Sequence, residues 1–538
     1  MSKNKHAWWQ EGIIYEVYIR SFKDSNGDGI GDIKGVLQKL DYIKWLGVNT
    51  IWITPFYPSP MKDLGYDVSD YTGTDPVFGT MEDVDELISQ VHKRNMKLVI
   101  DLVPNHTSDQ HAWFKESRSS KDNSKRNWYL WKDAKPGGSP PNNWLSVLGG
   151  SAWEWDEQTG QYYYHAFLKE QPDLNLRNKE TMDAILNVMR FWLDKGVDGF
   201  RVDVMWHLIK DELWRNNPAN PDYKEEQPEA DKLMQIYSCD QPEVHGIIKK
   251  MRGVTDEYNE KVIIGELYLT IENVVNYYGE DCDGAHLPSN FELIFLIPWE
   301  ADRIGIAIDK YEAALPEKCW PNWVLGNHDK ERLASRIGNE QAKIAAMLLL
   351  TLRGTPTIYY GDEIGLMQSD IPKEEMQDPQ GLLNPGKNLS RDPQRSPMQW
   401  DNTAYAGFSD KKPWLRLNND ADKNNVEQQK KDPNSLLNFY KQLIDFRNEN
   451  EVLKTGDYIP VGSNKSILAY KRKKDGQPAI LVVLNFTNKE KDCHSIINGY
   501  KGEIIISTNP TMKNKPLIEK TKLSANEGFV AILKDDEF

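Results

Sequence analysis

Cysteine is scarce and scattered: Cys239, Cys282, Cys319 and Cys493 are the four in 538 residues, and none forms a CxxC pair. That spacing suggests neither a zinc site nor a disulfide framework, so all four read as reduced thiols. No apolar run is long enough to cross a bilayer, in keeping with a mean hydropathy of -0.66, which excludes a membrane span. A long basic cluster is also lacking. The 66 Lys and Arg stand against 81 Asp and Glu, a net charge of -15, which disfavours a nucleic-acid partner and suits a neutral small molecule. The start, Met1 to Trp9, is charged but has no apolar stretch or small-residue cleavage site, so the expected compartment is the cytoplasm.

What is abundant is aromatic: 18 Trp and 24 Tyr, flat faces that suit sugar-ring stacking although most belong to the core. From Ile13 to about Tyr360, β-rich runs alternate with helical stretches. The strands expected are Ile13–Tyr18, Thr50–Ile53, Lys97–Leu102, Gly199–Val202, Val262–Glu266, Ser289–Glu292, Trp323–Leu325 and Thr357–Tyr360. Eight runs alternating with amphipathic helices such as Ile33–Leu46 and Thr181–Lys195 predict an α/β fold, a (β/α)8 TIM barrel. The connection after the third strand is too long for a βα loop, and the chain ends in alternating strands. The expected domains are therefore the barrel's first part at 1–103, an inserted domain at 104–175, the barrel's second part at 176–455 and a C-terminal β-sandwich at 456–538. Within the second part, long Pro-containing loops follow strands four and eight.

In such a barrel the C-terminal strand ends carry the chemistry. Four polar clusters fall there: Asp101 to His106, Gly199 to Asp203, Gly265-Glu266 and Gly326 to Asp329. Singly, each Asp serves equally well as a helix cap; the ordered conjunction of Asp, Glu, Asp and two histidines is what is specific. Arg201, two residues before Asp203 and so on the same strand face, is placed to hold that carboxylate ionised. A further loop, Asp24 to Asp32, sets oxygen side chains at alternate positions among glycines, the spacing of a calcium loop.

These clusters, together with Gln171-Pro172-Asp173-Leu174-Asn175, Gly65 to Tyr71 and Arg395 to Asp401, resemble the α-amylase superfamily of glycoside hydrolases, in its bacterial α-glucosidase and oligo-1,6-glucosidase branch, over nearly the whole chain. The resemblance implies a retaining mechanism with Asp203 as nucleophile, Glu266 as general acid/base and Asp329 as the carboxylate that stabilises the distorted sugar. It implies that His106 and His328 donate to glucose hydroxyls, that Asp63, Tyr66 and Arg395 complete the closed end of the pocket, and that Arg201 is counted with them among the substrate-binding residues. It also implies a structural calcium, or a magnesium, held by Asp24, Asn26, Asp28, the Ile30 carbonyl and Asp32.

In the resembling branch, Val after the nucleophile goes with α-1,6 bonds, and Ala or Thr with α-1,4. Val204 stands here, but the continuation Met205 to Asp211 and the long segment Asp211–Asp240 look like α-glucosidases of broader taste. The expected activity is an exo-acting α-glucosidase on short α-glucosides, with glucosyl transfer as a side reaction and oligo-1,6-glucosidase as the alternative. Sucrose isomerases of the branch carry an Arg-rich motif where this chain reads Asn388-Leu389-Ser390-Arg391-Asp392, which disfavours isomerisation and, with it, sucrose- or trehalose-converting activity. Relatives of the fold that act as transporter subunits have lost the carboxylates that Asp203, Glu266 and Asp329 supply here, so a purely binding role is also disfavoured. The expected partner is a small-molecule α-glucoside, with no nucleic acid or membrane, and the expected state is a monomer or homodimer.

Overall fold

Eight parallel strands close on themselves in chain order: Ile14–Val17, Thr50–Ile53, Lys97–Leu102, Gly199–Val202, Val262–Gly265, Leu287–Asn290, Asn322–Val324 and Thr355–Tyr359. The last pairs with the first, Thr357 opposite Ile14. This is a computed structural model that describes residues 6–518 and 521–534, so the charged start Met1–Lys5 lies outside it. Strand six runs Leu287–Asn290, two residues before the expected Ser289–Glu292, and ends early because Glu292 already opens a helical turn, Glu292–Phe295, whose first N–H is accepted by Asn290 Oδ1. Between strands four and five, a Cβ on Gly199 would lie 2.2 Å from the Val262 carbonyl, so only glycine lets these strands close.

The helices form where the apolar spacing and caps agree. Ile33–Leu46 starts at Asp32, whose carboxylate accepts the Gly35 N–H, and ends at Gly47 in the left-handed region; Ile33, Val36, Leu40 and Ile43 are buried. Asn178 and Gly196 bracket Lys179–Lys195 in the same way. Cap, stripe and stop coincide, and such stripes cover the barrel.

The long connection after strand three carries a three-stranded antiparallel sheet, Trp131–Lys132, Trp153–Asp156 and Gln161–Tyr164. It is filled by its own aromatics Trp144, Trp153 and Tyr164 and returns through an antiparallel bridge between His106 and Asp173. That bridge sets Gln171 beside the barrel mouth.

The C-terminal part is a six-stranded antiparallel sheet, including an edge strand, Asp457–Ser463, that the sequence reading left out. Its alternation is plain. Leu468, Tyr470, Val482 and Val530 face the barrel's core, whereas Ile467, Ala469, Leu481, Val483 and Phe529 face away. The expected sandwich is lopsided: among the described residues the outer layer is the short pair Lys491–Asp492 and Lys522–Leu523 with the short helix His494–Ile497. The helix Ala342–Thr351, buried on every side, lies between barrel and sheet, which explains its unbroken apolar run.

The reading of all cysteines as thiols is corrected. Cys282 and Cys319 form a disulfide, with Cα atoms 5.7 Å apart, while Cys239 and Cys493 are free and buried. The two bonded residues precede strands six and seven, so neighbouring strands in space bring together cysteines 37 residues apart in sequence. No local motif announces such a pair. Among the described residues, no helix is long and apolar enough to cross a membrane.

Candidate active site

Strand four delivers Arg201 and Asp203 to the same face, and Arg201 bridges the centre of the site. Its Nη1 lies 2.8 Å from Asp101 Oδ1 and 2.7 Å from Asp203 Oδ1, and its Nη2 lies 2.9 Å from Glu266 Oε1. One guanidinium thus spans the two carboxyls at the ends of strands four and five. The second oxygen of Glu266 accepts the Val204 N–H at 2.8 Å.

The third carboxylate, Asp329, follows strand seven. Its Oδ1 lies 2.7 Å from Arg395 Nη2 and 3.4 Å from Arg391 Nη1, and its Oδ2 lies 3.4 Å from His328 Nε2. Arg391 reaches across to Asp63 at 2.7 Å and is anchored by Asp378 at 2.6 Å. Gln171 donates to Asp63 Oδ2 at 3.1 Å. His106 is oriented by Asn105, which is itself held by Lys210 at 2.7 Å, and Lys210 pairs with Asp173.

The charges separate the three acids. Burial pushes Asp203 and Glu266 up; Asp203 is raised further by Glu266 and opposed by Arg201, while for Glu266 the opposition of Arg201 comes ahead of the upward push from Asp329. Two buried acids facing one cation titrate as a pair, and the pair holds one proton between them once the first carboxyl has ionised. Asp329 goes the other way: against burial, His328, Arg395 and Arg391 hold its carboxyl far below the usual range. Burial draws His106 down to about 4, so it is neutral. The arrangement supplies one proton donor, one paired carboxylate and one permanently ionised carboxylate.

Asp63, Tyr66, His106, Asp203, Glu266 and Asp329 all line one cavity of about 140 Å³. Arg201, His328 and Arg395, expected to touch substrate, are 2%, 0% and 1% exposed and lie behind that lining. Arg201 and Arg395 pair with lining carboxylates, Arg395 also donates to the His328 carbonyl while its Nη1 has no partner, and His328 Nε2 lies 2.9 Å from the Tyr66 hydroxyl. The sequence reading missed Arg391 as a site residue; it stands in the segment noted for isomerases, and nothing in its spacing tells that it crosses the mouth to Asp63. Phe167, Trp206, Tyr268, Lys330 and Gln380 also line the cavity and were not singled out, since isolated aromatic and polar residues in loops carry no pattern.

Three loops rim this cavity and are tied together. Asn384, after strand eight, donates to the Leu148 carbonyl of the inserted segment at 2.8 Å. Gly150 donates to Glu229 at 3.0 Å, and Lys387 donates to the Gln227 carbonyl at 3.0 Å, both acceptors lying after strand four.

The Asp24–Asp32 loop has the oxygen-only donors that hard cations take. As folded, those oxygens serve the loop itself. Asp24 accepts N–H groups of Asn26, Gly27 and Gly29 and the Ser409 hydroxyl. Asn26 accepts from Asp28, Asp28 from Ile30, and Asp32 from Ser25 and Gly35. Among the described residues no three carboxylate, imidazole or thiol groups converge into a metal cage. The expected donor set of Asp24, Asn26, Asp28, the Ile30 carbonyl and Asp32 is all oxygen, the chemistry of a hard-cation site.

Comparison with known proteins agrees with this geometry. The family model for the α-amylase catalytic domain matches residues 16–456. The chain is 38% identical to an α-glucosidase of Apis mellifera over 98% of its own length and 94% of the relative's. It is 39% identical to an oligo-1,6-glucosidase of Heyndrickxia coagulans over 89% of this chain and 92% of that one. The crystal structure of the trehalulose synthase MutB from Pseudomonas mesoacidophila MX-45 superposes with a TM-score of 0.90 at 35% identity, covering 98% of this chain and 100% of that one. With the matching domain spanning most of the chain and the three carboxylates in place, the protein belongs to the α-amylase family of glycoside hydrolases, as a glucosidase.

Proposed function

We propose that the protein is an exo-acting, retaining α-glucosidase that releases a terminal non-reducing glucose from short α-glucosides. The observation that carries this is Arg201 touching both Asp203 and Glu266. Retaining glycosidases keep their two carboxyls about 5–5.5 Å apart, whereas inverting ones leave roughly 6.5–9.5 Å for a water. One guanidinium within 2.7 and 2.9 Å of the two carboxyls holds them close to each other, which supports the retaining arrangement.

In the first step, Asp203 Oδ bonds to the anomeric carbon as the glycosidic C–O bond breaks, and Glu266 gives its proton to the leaving oxygen. In the second, Glu266 takes a proton from water, the hydroxide oxygen bonds to the same carbon, and Asp203 leaves. Asp329, kept ionised by its arginines, offers negative charge to the oxocarbenium-like transition state. A sugar alcohol replacing water gives glucosyl transfer.

The small cavity with three tied loops at its rim supports end-on entry. Short maltose-type substrates with a broad linkage range fit this reading best. The oligo-1,6-glucosidase alternative is favoured by Val204 in the cavity wall, and initial rates on maltose, isomaltose, sucrose and trehalose side by side decide between them. Dominant sucrose rearrangement in that panel would replace hydrolysis by isomerisation, and a chain that releases no p-nitrophenol from p-nitrophenyl α-glucoside would be a binding protein. We further propose that the enzyme acts as a monomer or homodimer, and that the Asp24–Asp32 loop takes one calcium ion through its remaining oxygen lone pairs, as a stabilising element outside the chemistry.

A further inference from the structure

Glu16, on the first barrel strand, has no part in the steps above. Its side chain and that of His328 are both fully buried. Glu16 Oε1 lies 2.6 Å from His328 Nδ1 and accepts the His328 backbone N–H at 3.3 Å, while its Oε2 has no partner. The imidazole is stacked between two tyrosines, Tyr18 at 5.6 Å and Tyr66 at 5.5 Å, so it cannot turn to find other contacts. Its far nitrogen, Nε2, lies 2.9 Å from the Tyr66 hydroxyl and 3.4 Å from Asp329 Oδ2.

The Tyr66 hydroxyl has one proton and two candidate acceptors, His328 Nε2 and Asp101 Oδ2, the latter at 3.2 Å. One arrangement satisfies every contact. If Nε2 carries a hydrogen, it donates to the Tyr66 oxygen, and Tyr66 donates to Asp101. A bare Nε2 would instead set its lone pair against the Asp329 carboxylate and draw the Tyr66 proton away from Asp101.

We propose that Glu16 is a positioning residue: it keeps a proton between its carboxyl and His328 Nδ1, and so fixes His328 Nε2 as a donor toward Tyr66 and Asp329 in the glucose pocket. This rests on the glucosidase reading for what the pocket binds. The charged groups facing the pair are Arg201, Asp101, Asp329, Arg391 and Arg395. Burial pushes the Glu16 carboxyl well up, opposed by Arg201 and reinforced by Asp329 and Asp101, and burial pushes the His328 imidazole well down. Whether the shared proton rests on Oε1 or on Nδ1, the hydrogen on Nε2 stays. A glutamine at position 16 can preserve it by donating its amide N–H to Nδ1, and a methionine of similar shape cannot.

The full-length enzyme labelled with 15N-histidine gives the test, with the His328 signal assigned by its loss in His328→Asn. We expect Nε2 protonated in the wild type and in Glu16→Gln, and a mixture of ring tautomers in Glu16→Met. On p-nitrophenyl α-glucoside, Glu16→Gln should stay within about threefold of wild-type kcat/KM, and Glu16→Met should fall about tenfold, the loss of one well-placed hydrogen bond. A bare Nε2 in the wild type, or a glutamine variant that falls as far as the methionine one, overturns the proposal. If the methionine variant does not fold, the wild-type and glutamine spectra still decide. Failure of the wild type to release p-nitrophenol would refute the glucosidase reading alone, because the ring's proton position is read without turnover.

Discussion

The backbone N–H of Val204 donates to Glu266 Oε2 at 2.8 Å, and Val204 makes this contact from the left-handed region, at φ 37° and ψ 49°. A β-branched residue held there costs about 1–3 kcal/mol. The turn also sends the Met205 N–H to the Glu266 carbonyl at 3.3 Å. The strained turn therefore holds Glu266 from two sides and leaves its other carboxyl oxygen to Arg201. Replacing Val204 by glycine relieves the strain while removing a buried side chain, two effects of similar size and opposite sign. The expected outcome is a melting temperature within about 2 °C of wild type together with a several-fold lower kcat, measured by calorimetry and by maltose hydrolysis.

The two central carboxyls should fail differently. Asp203→Asn should abolish turnover with the fold intact by circular dichroism. Glu266→Gln should lose far more on maltose than on p-nitrophenyl α-glucoside, whose leaving group needs little protonation. Equal loss on both substrates in the first step would remove Glu266 from the acid's role.

Asp362 gives a pH-dependent stability effect away from the chemistry. Burial pushes its carboxyl up to about 7 despite Arg332, and its Oδ1 has no partner. Between the unfolded value of about 3.9 and about 7, the native state holds a proton that the unfolded chain has lost, so this group lowers stability as pH rises through that window. Asp362→Asn removes the effect. Its melting temperature should exceed wild type by more at pH 8 than at pH 5, and an equal or smaller gain at pH 8 contradicts the assignment.

The Cys282–Cys319 bond closes a loop of 37 residues, for which chain entropy gives about 3–4 kcal/mol of stabilisation. The paired Cys282→Ser, Cys319→Ser variant should melt several degrees lower. Its kcat should be unchanged, because the bond precedes strands six and seven and the site follows the strands' other ends.

Addition of a chelator tests the loop at Asp24. If a bound calcium stabilises the native state by mass action, EDTA should lower the melting temperature and calcium should restore it, with kcat below the transition unaffected. An unchanged transition would show that the loop's own hydrogen bonds suffice.

Much of this molecule was legible before its structure because barrel grammar is local. Strand runs such as Lys97–Leu102 and capped helices such as Ile33–Leu46 announce themselves within a dozen residues, and Asp203, Glu266 and Asp329 each follow a strand end. What stayed hidden depends on closure in space. Arg391 meets Asp63 across 328 positions and Glu16 meets His328 across 312. The burial of Arg201, His328 and Arg395 behind the cavity wall likewise follows from how the strand ends close on one another, which no spacing reveals. The Asp24 loop shows the converse: its spacing is that of a calcium site, yet the same spacing lets each oxygen cap its own turn.

The anomer of the first glucose released tests the account most directly. In a proton NMR time course of maltose or p-nitrophenyl α-glucoside hydrolysis, faster than mutarotation, double displacement through Asp203 predicts α-glucose as the initial product. Initial β-glucose would mean a water attacks the anomeric carbon directly, and the bridging of Asp203 and Glu266 by Arg201 would not describe the reacting pair.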